Sequence, residues 1–594
     1  MTTLPPVTAE VAAAALESLP TRLRKRADSA AAKAANWPVA ATDATVVVRV
    51  DDATTVTLTT TAGVVTSAED AVCSCLLAPA CLHRAAVLTL APLAEETDGP
   101  ETTAVVPSDA DDSTPVPPSA APPVPPETGS LRLAPPQSAA VHTLRAAATA
   151  VLAAGVTGSG AVHRATLLHA AHSARVAGLH RAAAAAVRVA RRLSEAGTGD
   201  PAFRLPELAS ELAELLTVAD GLGRAPDPDL IGTARRAYVA NGSLRLRGLF
   251  TEPVVTASGY AGVVTYALAQ DGRLRSLSDV APGDADRARQ AAGSAVPGGS
   301  ALALRELGDH GGAILTDPTV SPDGRIGGGG SVRSVQASGA RWHEEPLDTL
   351  WRRSPADQVA AALRWSAEPA EERDAGGDLL FLTGTITGGG FAVDGGPTVR
   401  LLAPDERPEL PYVENLRLLA GAHGLSVRLV ARLAADRPSG VRALAAAWQG
   451  ADGDPIRADL GLRRLNRTHL PRTGRAVIPS TPTPAPALPT ELDLLRRAVD
   501  RAVAGGRAVT AAVAVADDEL PRRLAAVGLA TGAACARALV DTASDRRHDA
   551  LGRLRPADPE AYARAWLASS TYASAAAASL LTVAWAPEGD HDPA

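Results

Sequence analysis

The chain has 594 residues, room for three to five domains at ~100–200 residues each. Its hydrophobic content is mostly Ala, Val and Leu with few aromatics and one Met, so its cores must be close-packed from small side chains. Lysine occurs only at Lys25 and Lys33, which excludes a Walker A loop, a kinase-type ATP lysine and a pyridoxal Schiff base beyond the N-terminus, and the net charge of −7 confines any nucleic-acid contact to local patches.

Residues 1–20 lack a basic start followed by an apolar core, so no signal peptide is expected. The longest charge-free run near the end, Leu567 to Pro587, is mostly Ala, Ser and Thr and is expected to fall short of a transmembrane helix. Four cysteines, three of them clustered, do not make a secreted disulfide framework. A cytoplasmic location is the expectation.

The fold class expected is multi-domain α+β. Residues 1–92 read as an N-terminal helix plus a small ββα metal module. The helix covers 8–36, is divided by Pro20, and carries the basic knot Arg22, Arg24, Lys25 and Arg26. The period then changes to two in Thr45–Val50 and Thr55–Thr59 around Asp51-Asp52, a β-hairpin pattern, with a third strand expected over 62–67. A short helix follows from His83 to Leu90.

Residues 93–137 are acidic and Pro-rich and read as an extended, disordered linker. Residues 138–240 read as a helical domain whose first part, Ser138 to Ser194, has no acidic residue, with later helices at 205–218 and 229–239. Residues 241–477 read as an antiparallel-sheet α+β centre of one or two subdomains. Strands are expected near 243–249, 262–268, 273–277, 330–335, 379–386, 398–402 and 425–431, and helices near 346–366 and 412–422. The Asp271-Gly272 pair marks a hairpin. A Pro/Thr linker at 478–489 leads to a helical C-terminal region, 490–586, and a tail, 587–594. No internal repeat of fixed period is visible.

Chemistry is concentrated at Cys73-x-Cys75-x5-Cys81-x-His83. Residues two apart on a strand share a face, so Cys73 and Cys75 can aim at one ion. Residues two apart inside a helix point about 200° apart, so Cys81 must sit just before a helix and His83 in its first turn. Thiolates plus imidazole favour Zn2+ over hard cations, and four ligands make a closed, structural site.

Cys-x-Cys then Cys-x-His, with a hairpin before and the apolar Ala85–Leu88 after, resembles the SWIM zinc finger. The stretch from Val254 to Tyr266 adds a weaker likeness to large bacterial SWIM-containing proteins. The resemblance implies a small zinc domain that binds DNA or protein, in some bacterial proteins beside a remodelling-type helicase. The loop Leu76–Ala80 departs from it in being short and apolar.

Other signals are weaker. Arg181, Arg188 and Arg192 share one helical stripe that could meet phosphates, though a solvated face is the plainer reading. His163, His169, His172 and His180 have no nearby carboxylate and read as surface or half-buried histidines. The glycine runs 327–330 and 388–390 sit in strand-rich settings and read as turns rather than phosphate cradles. Cys535 reads as a helix filler. The acidic stretch 95–127 could fold over the basic helices at 138–194. No nucleophile elbow or acid pair is present, so the expectation is a non-catalytic adaptor. Its partner would be DNA or another nucleic acid, or a protein such as an ATPase or helicase subunit.

Overall fold

The computed structural model describes residues 4–19, 23, 27–42, 44–51, 53–61, 63–92, 94, 132–233, 239–240, 242–256, 259–328, 332–370, 372–434, 436–450, 453–471, 487–516, 519–546, 549–553 and 557–586. Helix and antiparallel sheet are mixed along the chain, as a multi-domain α+β protein requires. The basic knot at 22–26, most of the acidic linker, the Pro/Thr linker up to residue 486 and the tail lie outside the described residues.

Helices α1 (Ala9–Glu17) and α2 (Ala27–Ala34) precede a sheet of four antiparallel strands in sequence order. These are β1 (Val39–Ala41), β2 (Thr45–Arg49), β3 (Thr55–Thr59) and β4 (Ala71–Cys73), followed by helix α3 (Leu82–Leu90). The period-two pattern buries Val46, Val48, Val56 and Leu58, while the alternate threonines stay partly exposed. The strand expected at 62–67 does not form. Val65 instead exchanges hydrogen bonds with the N-terminal segment, Val65 N to Pro6 O at 2.9 Å and Thr8 N to Val65 O at 3.1 Å. The third partner in the sheet is β4, which carries Cys73 opposite Val56. Helix α1 lies between α3 and the helical body, with Leu16 and Leu19 buried against Ala85, Ala161 and Ala165. The N-terminal module therefore shares a core with its neighbours.

The helical body has two halves far apart in sequence. The first contains α4 (Pro135–Gly158), α5 (Ala161–Val176), α6 (His180–Thr198), α7 (Leu205–Arg224) and the short α8 (Pro228–Ile231). The helix expected over 229–239 stops at Ile231, where Gly232 takes a positive φ of 72°. The second half follows the sheet region, and its first helix, Thr490–Ala516, packs directly on α4. Each of these two long helices is kinked at one glycine, Gly155 (φ 68°) and Gly506 (φ 69°). The two kinks face each other so closely that a Cβ on Gly155 would lie 2.2 Å from the Gly506 amide nitrogen. The halves also share a Gly-Leu turn, Gly178-Leu179 and Gly528-Leu529, with glycine φ of 79° and 80°. Both turns are closed by the leucine amide reaching back five residues, at 2.8 and 2.9 Å. The two halves thus have in common a long helix kinked at glycine and, further along, a Gly-Leu turn.

Between the halves lie two successive β units. In the first, β5 (Val239–Ala240) leads to β6 (Ser243–Val255), β7 (Tyr260–Ala269) and β8 (Leu274–Pro282), with Gly272 turning the hairpin as expected. Helices α9 (Ala285–Ala291) and α10 (Leu304–Gly308) follow, then β9 (Gly312–Thr316), β10 (Thr319–Val320), β11 (Ile326–Gly327) and β12 (Arg333–Ala337). Its sheet order is β12-β9-β6-β7-β8. Helix α10 crosses β6 at Gly248, where a Cβ would lie 1.6 Å from the Leu307 carbonyl oxygen.

The second unit has α11 (Pro355–Ala367), β13 (Leu379–Thr387), β14 (Gly390–Val393) and β15 (Thr398–Leu402), then α12 (Tyr412–Ala420). It ends with β16 (Ser426–Leu433), β17 (Gly440–Gln449) and β18 (Pro455–Asp459). The order β15-β14-β13-β16-β17-β18 repeats that of the first unit, and a parallel pairing of β15 with β17 closes five strands into a ring. Helix α12, between the third and fourth strands of the ring, plugs the barrel with Tyr412, Leu416 and Leu419. This is the connectivity of an OB-type barrel, and the first unit is an open version of it. The strands β9, β14, β17 and β18 were not anticipated.

The two β units meet face to face. Leu249, Phe250, Tyr266 and Leu268 of the first bury against Leu379, Phe381, Val430 and Leu444 of the second. Glu252, Tyr266 and Arg432 form a hydrogen-bonded group across this face, with Arg432 to Glu252 at 2.6 and 2.8 Å. Helices α13 (Thr490–Ala516), α14 (Leu520–Ala526), α15 (Ala530–Ser544) and α16 (Pro559–Ala584) end the fold. Trp585, directly after α16, is fully buried in the second barrel's core and ties the helical body to it.

Helices α4 and α16 are long and apolar enough, by length and composition, to cross a membrane. The expectation for the last apolar run counted from Leu567, whereas the helix begins at Pro559. Leu144 and Leu152 of α4, and Tyr562 and Trp566 of α16, are buried in the helical body.

Candidate metal centre

The four residues singled out by spacing converge. Donor atoms of Cys73, Cys75, Cys81 and His83 all lie within 4.8 Å of one another, a group that can hold a metal ion. Among the described residues it is the one such group of His, Cys, Asp and Glu side chains. Cys73 is the last residue of β4, and Cys75 opens a tight turn closed by Ala78 N donating to Cys75 O at 3.1 Å. Cys81 is the N-cap of α3, and its Sγ accepts from the Arg84 amide at 3.4 Å. His83 is in the first turn of that helix, as the geometry of a two-residue spacing demanded.

The surroundings suit a cation. Nδ1 of His83 is buried with no hydrogen-bond partner, a cost that an ion bound to that nitrogen would remove. Trp37 packs edge-on against the imidazole, with ring centroids 6.1 Å apart. Burial pushes the Cys73 thiol up to about 12 and raises Cys81 as well. Burial also acts upward on Cys75, but hydrogen bonds from His83 and the Leu77 amide outweigh it and bring that thiol down to about 7. Three thiols this close cannot all ionise without a positive charge among them, which is the environment a metal ion satisfies.

Arg84 was not anticipated. It is only 4% exposed, yet carries a guanidinium. Nε donates to Ala71 O at 2.8 Å, and the two terminal nitrogens donate to Pro79 O at 3.3 Å and Ala68 O at 2.6 Å. One side chain thus ties the approach to β4 and the loop before Cys81 onto α3. Burial lowers its pKa, and the neighbouring Cys81 and Cys73 act in the opposite direction. An arginine at the head of the otherwise apolar run Ala85–Leu88 was the available signal.

The other candidates do not assemble into sites. Arg188 pairs with Glu211 at 2.6 Å and Glu214 at 2.8 Å, and Arg192 with Glu195 at 2.9 Å and Glu207 at 2.7 Å. Arg181 donates to the Asp229 carbonyl at 3.2 Å. The stripe is therefore an internal seam between α6, α7 and α8, and not the solvated face expected. His163, His172 and His180 are half-buried and His169 is exposed. Cys535 is half-buried in α15, and burial raises its thiol pKa. Gly388 and Gly389 turn β13 into β14, as expected of a loop. The suggestion that the acidic linker covers the basic helices falls on residues outside those described.

Comparison with protein-family models, with curated proteins and with solved structures gave no match.

Proposed function

We propose that this chain is a non-catalytic, zinc-binding adaptor built on a SWIM-type zinc module, and that its partner is a protein. The observation that carries the reading is the Cys73, Cys75, Cys81 and His83 group, with its donor atoms inside 4.8 Å. Three thiolates and an imidazole are a zinc donor set, and four protein ligands complete a tetrahedron. When bound there, zinc supplies a fixed joint. Cys73 and Cys75 hold the end of β4 and its turn, while Cys81 and His83 hold the head of α3. What supports the SWIM assignment is the order of strands, Cys-x-Cys, turn, Cys-x-His and helix.

A protein partner is favoured because the conspicuous arginines of α6 are committed to carboxylates of the same chain. An accessory subunit of an ATPase or helicase complex fits this reading without direct nucleic-acid contact. One observation favours nucleic acid instead. On the second barrel Arg400 of β15 is exposed beside the exposed Arg437 of the β16–β17 loop, and OB-type barrels use such strand and loop surfaces for oligonucleotides. Titration of the full chain with labelled single- and double-stranded DNA over a salt series separates the two. The adaptor reading expects no saturable binding. Binding with a steep salt slope, lost in Arg400→Glu/Arg437→Glu, would replace it with the nucleic-acid reading.

A further inference from the structure

The turn that follows the second metal ligand has leucines at both corners. Ala78 N closes the turn on Cys75 O, and Leu76 and Leu77 occupy its two central positions. Such positions ordinarily carry Gly, Pro, Asn or Asp, which the backbone geometry and water both favour. Here Leu76 is 103% exposed and Leu77 65% exposed, with Val72 of the adjacent strand at 60%. Among the described residues ten large hydrophobic side chains are exposed, and these three fall within six residues at the metal centre. Folding gains nothing from leucines held in water, so their presence on a hydrogen-bonded turn beside the Cys/His group points to a surface that is covered by something else.

The charge carried by this module narrows what covers the tip. Residues 37–92 contain five carboxylates, Asp43, Asp51, Asp52, Glu69 and Asp70, against Arg49 and Arg84. Arg84 is buried on backbone carbonyls and offers nothing to a partner. Its guanidinium also brings Ala68 and Pro79 together, which sets Glu69 and Asp70 beside the Leu76–Ala80 loop. Asp51, in the turn from β2 to β3, is exposed as well. An apolar tip rimmed by carboxylates repels nucleic acid and anionic lipid alike. It is complementary to an apolar pocket rimmed by arginine or lysine.

We propose that Leu76 and Leu77 are the anchor of a docking surface that inserts into an apolar, basic-rimmed pocket on a partner protein. This rests on the adaptor reading and specifies its contact. The metal would hold the turn in its bound shape before the encounter, so little ordering cost remains at docking.

The test places a photoreactive benzoylphenylalanine at position 77 of the full chain in its native cells and identifies what it captures. The captured protein is then purified and titrated with the full chain carrying native residues, with Leu76→Ser/Leu77→Ser, with Glu69→Lys, and with the control Leu551→Ser at a distant exposed leucine. The leucine pair is expected to weaken binding by about thirtyfold or more, as central hot-spot residues do. Glu69→Lys is expected to weaken it severalfold with a reduced salt dependence, and Leu551→Ser to leave it unchanged. Capture of nothing, of nucleic acid, or of a second copy of this chain overturns the proposal, as does binding indifferent to the leucine pair. Metal content of each variant is measured in parallel. A chain that holds zinc but has no partner at the tip refutes only this proposal, whereas a chain without zinc refutes the function on which it rests.

Discussion

Replacing Arg84 tests how the Cys/His group would hold a metal ion. Three thiolates and a neutral imidazole around a divalent ion leave one net negative charge in a largely buried site. Arg84 is the adjacent cation, and its three donors reach carbonyls at 2.6, 2.8 and 3.3 Å on the segments that deliver Cys73 and Cys81. Arg84→Met keeps the apolar stem but removes the charge and those hydrogen bonds. Groups that orient metal ligands from outside the coordination sphere typically contribute about 10–100-fold in affinity. That is about 1.4–2.8 kcal/mol, comparable with one or two hydrogen bonds to a charged group. Arg84→Lys, which restores charge without the fork, is expected to recover only part of the loss. Competition of the full chain against a chromogenic zinc chelator measures this directly. Affinity of Arg84→Met within twofold of the native chain would show that the arginine is merely packed there.

Gly155→Ala and Gly506→Ala each place a methyl group against the facing backbone at a positive φ, and each is expected to lower stability by about 2–4 kcal/mol in a urea melt. A loss below half a kcal/mol at both would contradict the close helix crossing. Asp459 is buried, and burial raises its carboxyl to about 6 despite Arg457 beside it. Its folded pKa lies above its unfolded value, so the native state binds the extra proton and stability falls as pH rises from about 4 to about 6. Asp459→Asn should flatten that fall in pH-resolved melts, and identical slopes would refute the assignment. Arg188→Ala leaves Glu211 and Glu214 unpaired at a half-buried seam and is expected to cost about 2–4 kcal/mol of stability, while any affinity for DNA stays unchanged. A variant that keeps its stability but loses DNA binding would return the stripe to a phosphate-contacting role.

The convergence of Cys73, Cys75, Cys81 and His83 was legible because it is local. The four residues fall within eleven positions, and strand and helix geometry alone dictate where Cys81 and His83 must sit relative to α3. The hairpin β2–β3 was legible for the same reason, since Val46, Val48, Val56 and Leu58 alternate with residues that face outward. Long-range pairing was not. Strand β17 reads Gly-Val-Arg-Ala-Leu-Ala-Ala-Ala-Trp-Gln, which lacks period-two contrast because both of its faces are buried, one in the barrel and one against the neighbouring barrel. The arginine stripe looked free because its carboxylate partners sit mostly on another helix, and Glu207 also pairs with Arg442 of the second barrel. Neither the parallel β15–β17 closure nor the apposition of Gly155 and Gly506 leaves any trace between neighbouring residues. Leu76 and Leu77 were visible as an apolar loop, but only the fold shows them in water.

A zinc joint at Cys73, Cys75, Cys81 and His83 is read out by metal content and absorption-edge spectroscopy on the purified full chain. One zinc per chain is expected, with about three sulfur neighbours at about 2.3 Å and one nitrogen at about 2.0 Å. That zinc is expected to be lost in Cys73→Ala/Cys81→Ala. A native chain without stoichiometric zinc, or a double variant that keeps it, would refute the joint.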